Sequence, residues 1–172
     1  ASVCIKPYAI ELAVEILEGT SVDVGTVIGF PHGNSDLKTK IFEALDACKR
    51  GATEIDFVVN IGKVLSDDWR YINEEIKSLN EAIVSNGAIS KVIFENDYLL
   101  DDNYKIRLCE ICSEHKVAFV KTSTGYGFNK QSNGFYSYNG ATDHDLKLMR
   151  KYSDPNVQVK AAGGIRTLED LL

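Results

Sequence analysis

The sequence predicts an α/β fold with a parallel β-sheet, and within that class a (β/α)8 TIM barrel. Six short apolar segments alternate with six helical segments at a period of roughly 25 to 35 residues. Several of the predicted strands carry charged residues on one face, which favours a barrel with reactive side chains at its mouth over an open sheet with apolar central strands. Eight β/α units normally need about 200 residues or more. We therefore expect a single domain over residues 1–172 that lacks the first and the last strand of the barrel.

The first half of the chain is predicted to contain four strands and three helices. Pro7 is suited to the first turn of a helix, and Gly51 and Gly87 each end a helical pattern. Turn residues between Gly29 and Asn34 separate the second strand from the helix that follows it. The predicted strands are Ser2–Ile5, Asp23–Phe30, Ala52–Asn60 and Ile89–Glu95, and the predicted helices are Pro7–Glu18, Ser35–Arg50 and Asp67–Asn86.

Alternation in the third and fourth strands separates polar from apolar side chains. Glu54 and Asp56 share one face of the third strand, and Lys91 and Glu95 share one face of the fourth. The residues between them are apolar and are suited to packing against helices. The charged faces need polar surroundings, because a buried charge without a partner costs free energy.

The second half of the chain continues the alternation with one long interruption. The predicted elements are a helix at Asp101–Glu114, a strand ending at Lys121, a helix from Thr142 to Tyr152, a strand ending at Lys160 and a final helix capped by Thr167. Residues 126–139 are rich in aromatic, Gly, Asn and Ser residues, which predicts an unusually long loop. Loops of this kind are often lids over a binding site.

Composition and charge argue against several classes of protein. The chain is 44% hydrophobic and 26% charged with a formal net charge of -6, which disfavours broad binding to nucleic acid or to an anionic membrane. No apolar run reaches the roughly 20 residues of a membrane span, and the first residues lack a signal-peptide pattern, so a cytoplasmic protein is expected. Cys109 and Cys112 lie in a helical segment without a second ligand pair, and we interpret them as buried thiols. We expect neither a metal site nor another cofactor.

Lys121 and Lys160 are the most informative residues of the sequence. Each ends an apolar strand and precedes small residues, in the segments Phe119–Gly125 and Val157–Gly164. The carboxyl ends of barrel strands meet at one mouth, so we expect Lys91 and Asp56 to lie near these two lysines. Neighbouring ammonium groups favour the neutral amine of the least paired lysine, whereas a carboxylate from Asp56 or Glu95 keeps another lysine protonated. A nucleophilic amine beside an acid predicts a Schiff-base enzyme such as a class I aldolase.

Glycines directly after the two lysine strands predict a phosphate site. Gly125, Gly163 and Gly164 are placed so that their backbone N–H groups can approach an anion closely. Barrels commonly bind phosphate at the loops after their late strands, although turn formation alone would also explain these glycines. His32 lies in a turn without a serine or cysteine nucleophile pattern, and we interpret it as a loop-structuring or solvent-facing residue.

Segments spread over nearly the whole chain resemble the deoxyribose-phosphate aldolase family. The segments Lys121–Gly125 and Lys160–Thr167, in this order and at this separation, are highly specific in combination. Further matching segments are Val3–Ile5, Phe30–Asn34, Gly51–Asp56, Lys91–Glu95 and Gly140–Thr142. The resemblance implies a (β/α)8 barrel that reversibly cleaves 2-deoxy-D-ribose 5-phosphate into glyceraldehyde 3-phosphate and acetaldehyde.

The resemblance also implies roles for individual residues. Lys121 matches the lysine that forms the Schiff base, Lys160 the neighbouring lysine that perturbs it, and Asp56 a member of the proton relay. Substrate-binding roles are implied for Lys91, Cys4, Thr124, Gly125, Gly163 and Gly164. The expected partner is a small-molecule sugar phosphate, with no nucleic acid and no membrane, and a homodimer is left open.

Departures from the family pattern leave other functions open. The family's first strand, with an Asp-His-Thr type motif, and its last, with a Gly-Ala-Ser-Ser type phosphate loop, are absent from this sequence, and the loop at 126–139 is longer than usual. One alternative is a truncated barrel that binds a sugar phosphate without turnover. Another is a different metal-free sugar-phosphate aldolase or isomerase.

Overall fold

The computed structural model describes residues 1–130 and 132–171, and these residues form two compact units. One unit spans Ala1–Val92 and the other spans Ile93–Leu172. No helix within the described ranges is both long enough and apolar enough to cross a membrane. The expectation of one domain over residues 1–172 stays a prediction.

The first unit alternates strands with helices. Its strands are β1 (Ser2–Ile5), β2 (Asp23–Ile28), β3 (Glu54–Val58) and β4 (Ile89–Ile93), the last of which ends in the first residue of the second unit. Its helices are α1 (Ile10–Leu17), preceded by a 3₁₀ turn at Pro7–Ala9, α2 (Leu37–Lys49), α3 (Ile61–Leu65) and α4 (Trp69–Ser85). The strand order is β1-β2-β3-β4, and β2 pairs in parallel with both β1 and β3. The predicted parallel α/β architecture is confirmed.

The short helix α3 is the element of this unit that the sequence does not predict. Its five residues are too few to show a helical period. Asn60 caps it, because the Asn60 side chain accepts a hydrogen bond from the backbone N–H of Lys63 at 3.2 Å. The strand that was predicted to run to Asn60 therefore ends at Val58, and the chain turns directly into a helix.

Helix α4 packs against α2 and has one apolar side. Buried residues recur at intervals of three or four along it: Ile72, Ile76, Leu79 and Ile83, each with 0% exposure. This spacing puts one apolar stripe on one side of the helix, as the sequence pattern predicts. Glu75 lies on the same helix and is equally buried. A charged residue in such a stripe requires a partner.

The partner of Glu75 is Lys40 of α2, and the two form a fully buried ion pair. The Lys40 Nζ donates to Glu75 Oε1 at 2.7 Å and to the Val58 carbonyl at 2.7 Å. Glu75 Oε2 accepts from the Asn60 N–H at 2.8 Å. Burial lowers the pKa of Lys40 and raises the pKa of Glu75, and the attraction between the two charges opposes both shifts. The pair ties α2 and α4 to the carboxyl end of β3.

Gly33 closes the turn between β2 and α2. Its φ is +67°, in the left-handed region, and its N–H donates to the Gly29 carbonyl at 2.8 Å. A Cβ atom at this position would lie 1.9 Å from the Val59 carbonyl oxygen. Both the backbone conformation and the lack of space therefore require glycine here. His32, in the same turn, is exposed, which confirms one of its two expected roles.

We expect Gly33→Ala to lower the free energy of unfolding by about 3 kcal/mol or more, since a left-handed φ and a steric clash act together. Gly87→Ala is the matched control, because Gly87 has φ +78° but a Cβ there would meet nothing within 4 Å. The control should lose only about 1 kcal/mol. Urea denaturation followed by circular dichroism measures both losses. Equal losses in the two variants would contradict the steric argument.

The second unit completes the alternation and adds a small hairpin. It contains the helices α5 (Asp102–Glu114) and α6 (Asp143–Tyr152), the strands β5 (Phe119–Lys121), β6 (Asn129–Lys130), β7 (Tyr136–Ser137) and β8 (Gln158–Lys160), and 3₁₀ turns at Asn96–Tyr98 and Glu169–Leu171. Within this unit β5 and β8 pair in parallel. The predicted helix after Thr167 is a 3₁₀ turn among the described residues, and Thr167 Oγ1 accepts from the Asp170 N–H at 3.2 Å.

Helix α5 confirms the interpretation of the Cys-x-x-Cys pair. Cys109 and Cys112 are free thiols, and both are buried. Burial raises the pKa of Cys109 to about 11 and raises the pKa of Cys112 well above its ordinary value. Such thiols are poor nucleophiles and poor metal ligands at neutral pH.

The long loop predicted at 126–139 contains an antiparallel hairpin. Its register pairs Asn129 with Ser137 and Lys130 with Tyr136. The strands have two residues each and are too short to give a sequence period, so the sequence predicts the loop but not the hairpin within it. At the base of the hairpin the Asp97 carboxylate accepts from the N–H groups of Asn139 at 2.6 Å and of Gly140 at 3.0 Å.

Candidate active site

Lys121 and Lys160 are register partners at the carboxyl ends of two adjacent parallel strands. The pairing aligns Val120 with Val159 and Lys121 with Lys160. Residues at the same level of neighbouring strands point to the same face of the sheet, so the two amine side chains leave that face together. Lys121 is 7% exposed, and Lys160 is half-buried. The structure therefore brings together the two lysines that the sequence predicts as nucleophile and neighbour.

Thr122 fixes the two strand ends to each other beyond the lysines. Its backbone N–H donates to the Lys160 carbonyl at 3.2 Å. Its hydroxyl donates to the Ala162 carbonyl at 2.9 Å and accepts from the Ala162 N–H at 3.0 Å. A side chain thus continues the strand pairing where the backbone ladder ends. The sequence gives no separate signal for this role, although a buried hydroxyl after a strand is a typical side-chain to backbone bonding residue.

Three glycine backbones converge beside the lysine strands. A Cβ on Gly163 would lie 3.1 Å from the Gly140 Cα and 3.6 Å from the Gly125 Cα. A Cβ on Gly140 would lie 2.4 Å from the Gly163 carbonyl oxygen, so this approach requires glycine. Gly164 follows and is exposed. The structure brings Gly125 and Gly163 together, as a shared phosphate loop requires, and adds Gly140.

A second cluster of charges, Glu54, Asp56 and Lys91, lies in the first unit on β3 and β4. The Lys91 Nζ bonds the Glu54 carboxylate and lies 3.5 Å from Asp56 Oδ1. Asp56 is 0% exposed and Lys91 is 2% exposed. The predicted charged face of β3 is thus largely buried, with Asp56 fully buried and Glu54 partly exposed, and the ion pairs compensate the buried charges. Glu54 belongs to this cluster although the sequence did not identify it as a site residue.

Two of the predicted substrate-binding residues have less direct support. The Glu95 carboxylate accepts a hydrogen bond from the Thr124 hydroxyl and a second one, at 3.2 Å, from the Thr124 backbone N–H. Cys4 lies on β1 opposite Gly25 and is exposed. A substrate-binding role for either residue stays a prediction.

One further cluster, around Lys105, escaped the sequence reasoning. Asp102, His144 and Asp145 place one ligand atom each within 4.8 Å of one another, which is a spacing that could hold a metal ion. The Lys105 Nζ already lies 2.7 Å from a carboxylate oxygen of each aspartate. The hydrogen bonds from Lys105 and His144 hold the pKa of Asp102 below its usual range. The lysine ammonium supplies the positive charge that these carboxylates need.

Comparison with known proteins identifies the family of this arrangement. A family model described as DeoC/LacD family aldolase matches residues 1–172. The chain belongs to the DeoC/LacD aldolase family. The family model covers both lysine strands, β5 and β8.

Individual relatives of this DeoC/LacD family chain agree with the assignment. A deoxyribose-phosphate aldolase of Rhodopirellula baltica is 52% identical over 172 residues, which are 100% of this chain and 67% of that protein. A deoxyribose-phosphate aldolase of Caldanaerobacter subterraneus subsp. tengcongensis is 48% identical over 171 residues, which are 99% of this chain and 69% of that protein. The solved structure of an aldolase named QR15 matches with a TM-score of 0.84 and 34% identity, and the match covers 98% of this chain and 70% of that one. The resemblance to deoxyribose-phosphate aldolases is confirmed, and this DeoC/LacD family chain spans about two thirds of the length of these relatives.

Proposed function

We propose that this protein is a class I aldolase that reversibly cleaves 2-deoxy-D-ribose 5-phosphate into glyceraldehyde 3-phosphate and acetaldehyde. The observation that carries the proposal is the register pair Lys121 and Lys160 at adjacent strand ends. One amine must be neutral to attack a carbonyl, and a second positive charge beside it favours that form. The relatives that are named deoxyribose-phosphate aldolase support this substrate.

The proposed reaction begins with the open-chain sugar. The Lys121 amine attacks the C1 aldehyde carbon, and loss of water from the adduct gives an iminium ion. The C3 hydroxyl then loses its proton, the C2–C3 bond breaks, and its electron pair moves into the iminium to form an enamine. Glyceraldehyde 3-phosphate leaves in this step. Protonation of the enamine carbon and addition of water to the resulting iminium release acetaldehyde and restore the amine.

The other residues have supporting roles in this proposal. Lys160 is the neighbouring lysine whose positive charge acts on the Schiff-base lysine, as the family resemblance implies. The Asp56 and Lys91 pair is a set of groups that can hold and transfer a proton, as the family resemblance implies. Gly125, Gly163 and Gly164 offer backbone N–H groups to the phosphate. Cys4 and Thr124 are kept as pocket residues.

We also propose that the complete fold is a (β/α)8 barrel in one domain. Six strands at regular spacing, parallel pairing and relatives about one and a half times as long as this chain support it. A homodimer, a cytoplasmic location and the absence of a cofactor stay predictions.

The test is borohydride trapping in a full-length protein that carries this chain. Incubation with acetaldehyde and borohydride should reduce the iminium to a stable ethyl adduct, and mass spectrometry should locate it on Lys121. The same sample should cleave deoxyribose 5-phosphate faster than unphosphorylated deoxyribose. A folded protein that binds the sugar phosphate without forming an adduct would favour the non-catalytic alternative. Turnover of a different phosphorylated sugar would favour another aldolase or an isomerase.

A further inference from the structure

Glu95 is a buried carboxyl group that the proposed reaction does not use. It follows β4 in the second unit, and its exposure is 1%. Its backbone has φ 57° and ψ 65°, in the left-handed region that residues other than glycine rarely adopt. The residues on either side bond the strand of the proposed nucleophile, because the Phe94 N–H donates to the Lys121 carbonyl at 3.0 Å and the Asn96 N–H to the Thr122 carbonyl at 2.9 Å. Glu95 therefore lies at the level of the peptide that follows Lys121.

The Glu95 carboxyl binds the loop that follows this strand. Its Oε2 accepts from the Thr124 N–H at 3.2 Å and from the Thr124 hydroxyl. The Thr124 hydroxyl oxygen itself accepts from the Tyr126 N–H at 2.9 Å, which leaves the hydroxyl hydrogen for the carboxyl. The Gly127 backbone packs against the other side, where a Cβ would lie 2.8 Å from the Glu95 Cδ and Oε1. The loop from Thr124 to Gly127 thus wraps around one carboxyl group.

The second carboxyl oxygen of Glu95, Oε1, lacks the hydrogen bonds that Oε2 accepts. Oε1 is buried and makes no hydrogen bond among the described residues. Burial raises the pKa of Glu95, the two hydrogen bonds from Thr124 act against this, and the charge of Asp97 adds to it. A buried carboxyl that is only half satisfied, on a strained backbone, is unfavourable for stability. Its presence beside the lysine strand calls for a role other than stabilising the fold.

We infer that Glu95 is a positioning residue for the Schiff-base lysine: its carboxyl holds Thr124 and, through Thr122 and Ser123, fixes the strand end that carries Lys121. This inference rests on the function proposed above. Attack on a carbonyl requires the amine within a narrow range of distance and angle, and a displacement of about 1 Å can lower a rate about a hundredfold. The Glu95 and Thr124 bond restrains the chain three residues beyond the amine.

Two single variants and one double variant test this role. Glu95→Ala removes the carboxyl, and Thr124→Val removes the hydroxyl while keeping the shape of the side chain. We expect each to lower kcat for cleavage about 10- to 100-fold, with KM within about threefold of the parent. The double variant should lose no more than the worse single variant, because both changes break one interaction. Losses that multiply, or an effect on KM alone, would overturn the inference; an effect on KM alone in Thr124→Val would instead indicate substrate binding.

Glu95→Gln distinguishes a positioning role of Glu95 from a general loss of folding in the Glu95→Ala variant. It keeps an acceptor oxygen for Thr124 and removes the buried charge, so kcat should fall less than in Glu95→Ala, and thermal stability should be equal to or above that of the parent. Glu81→Gln is the matched control at an exposed position and should keep full activity. In all variants we measure the rate at which the borohydride-trapped adduct forms on Lys121. An unchanged rate in Glu95→Ala and Thr124→Val, with a normal adduct in the parent, refutes this inference alone, whereas no adduct in the parent refutes the proposed function.

Discussion

Lys121→Met should abolish adduct formation with acetaldehyde and lower the rate of cleavage about 10⁴-fold or more. Methionine has nearly the length of lysine and fills the same space, but it offers no amine to the carbonyl carbon. Without the iminium, the C2–C3 bond must break without an electron acceptor, so the whole catalytic route is lost. Lys121 is 7% exposed, and an uncharged side chain should be accommodated there without loss of the fold.

Two further lysine variants make this result specific. Lys160→Met keeps the nucleophile but removes the neighbouring charge, so the adduct should still form on Lys121, about 10- to 100-fold more slowly. Lys151→Met changes an exposed lysine of α6 and should leave the rate unchanged. Mass spectrometry after borohydride reduction reads all three. An adduct on Lys160 in the Lys121→Met protein at the parent rate would show that the two roles are assigned the wrong way round.

Lys40→Met should lower the free energy of unfolding by about 3 to 5 kcal/mol, because it leaves Glu75 as a buried carboxylate without its ammonium partner. Both side chains of the pair have 0% exposure, so water does not reach the Glu75 carboxylate to solvate it in place of the Lys40 ammonium. Lys40→Met combined with Glu75→Leu removes both charges and should recover most of the loss. Urea denaturation measures the three proteins. A double variant that is less stable than Lys40→Met would contradict the argument.

The loss in Lys40→Met should also depend on pH. Burial already raises the pKa of Glu75 above its ordinary value of 4.5, and removing Lys40 raises it further. Between the unfolded and the folded pKa the folded variant binds a proton that the unfolded chain does not, so its free energy of unfolding falls as pH rises through this window. The difference from the parent should therefore be smaller at pH 5 than at pH 8. A difference that is independent of pH would mean that Glu75 finds another counter-charge.

The arrangement of Lys121 and Lys160 could be predicted because their surroundings in the sequence repeat. Each lysine ends an alternating apolar run, and parallel strands bring their carboxyl ends to the same edge, so the level of the two residues follows from the strand pattern. The same logic placed Glu54 and Asp56 on one face of β3. The phosphate role of the glycines also followed from their position after the two lysine strands, whereas the individual roles of Asp56 and Cys4 came from family resemblance and not from the pattern.

Other features could not be predicted because they depend on contacts between distant residues. Lys40 lies in a helix with many polar residues, where a lysine is normally solvated, and only the packing of α2 on α4 shows that it is buried. The charged alternation of β4 gave Glu95 a possible lysine partner, whereas its carboxyl binds Thr124 of the following loop. Asp97 closes a hairpin whose strands are too short to have a period.

Because the hairpin is closed by Asp97, the residues between Lys130 and Tyr136 can be replaced by others. The β6 and β7 ladder holds the two ends of this segment, and the Asp97 carboxylate holds the chain that follows β7. Doubling the length of a flexible loop raises its closure entropy by only about 0.6 kcal/mol. A longer or chemically different tip could therefore be grafted onto this hairpin while the strand of Lys121 is left untouched.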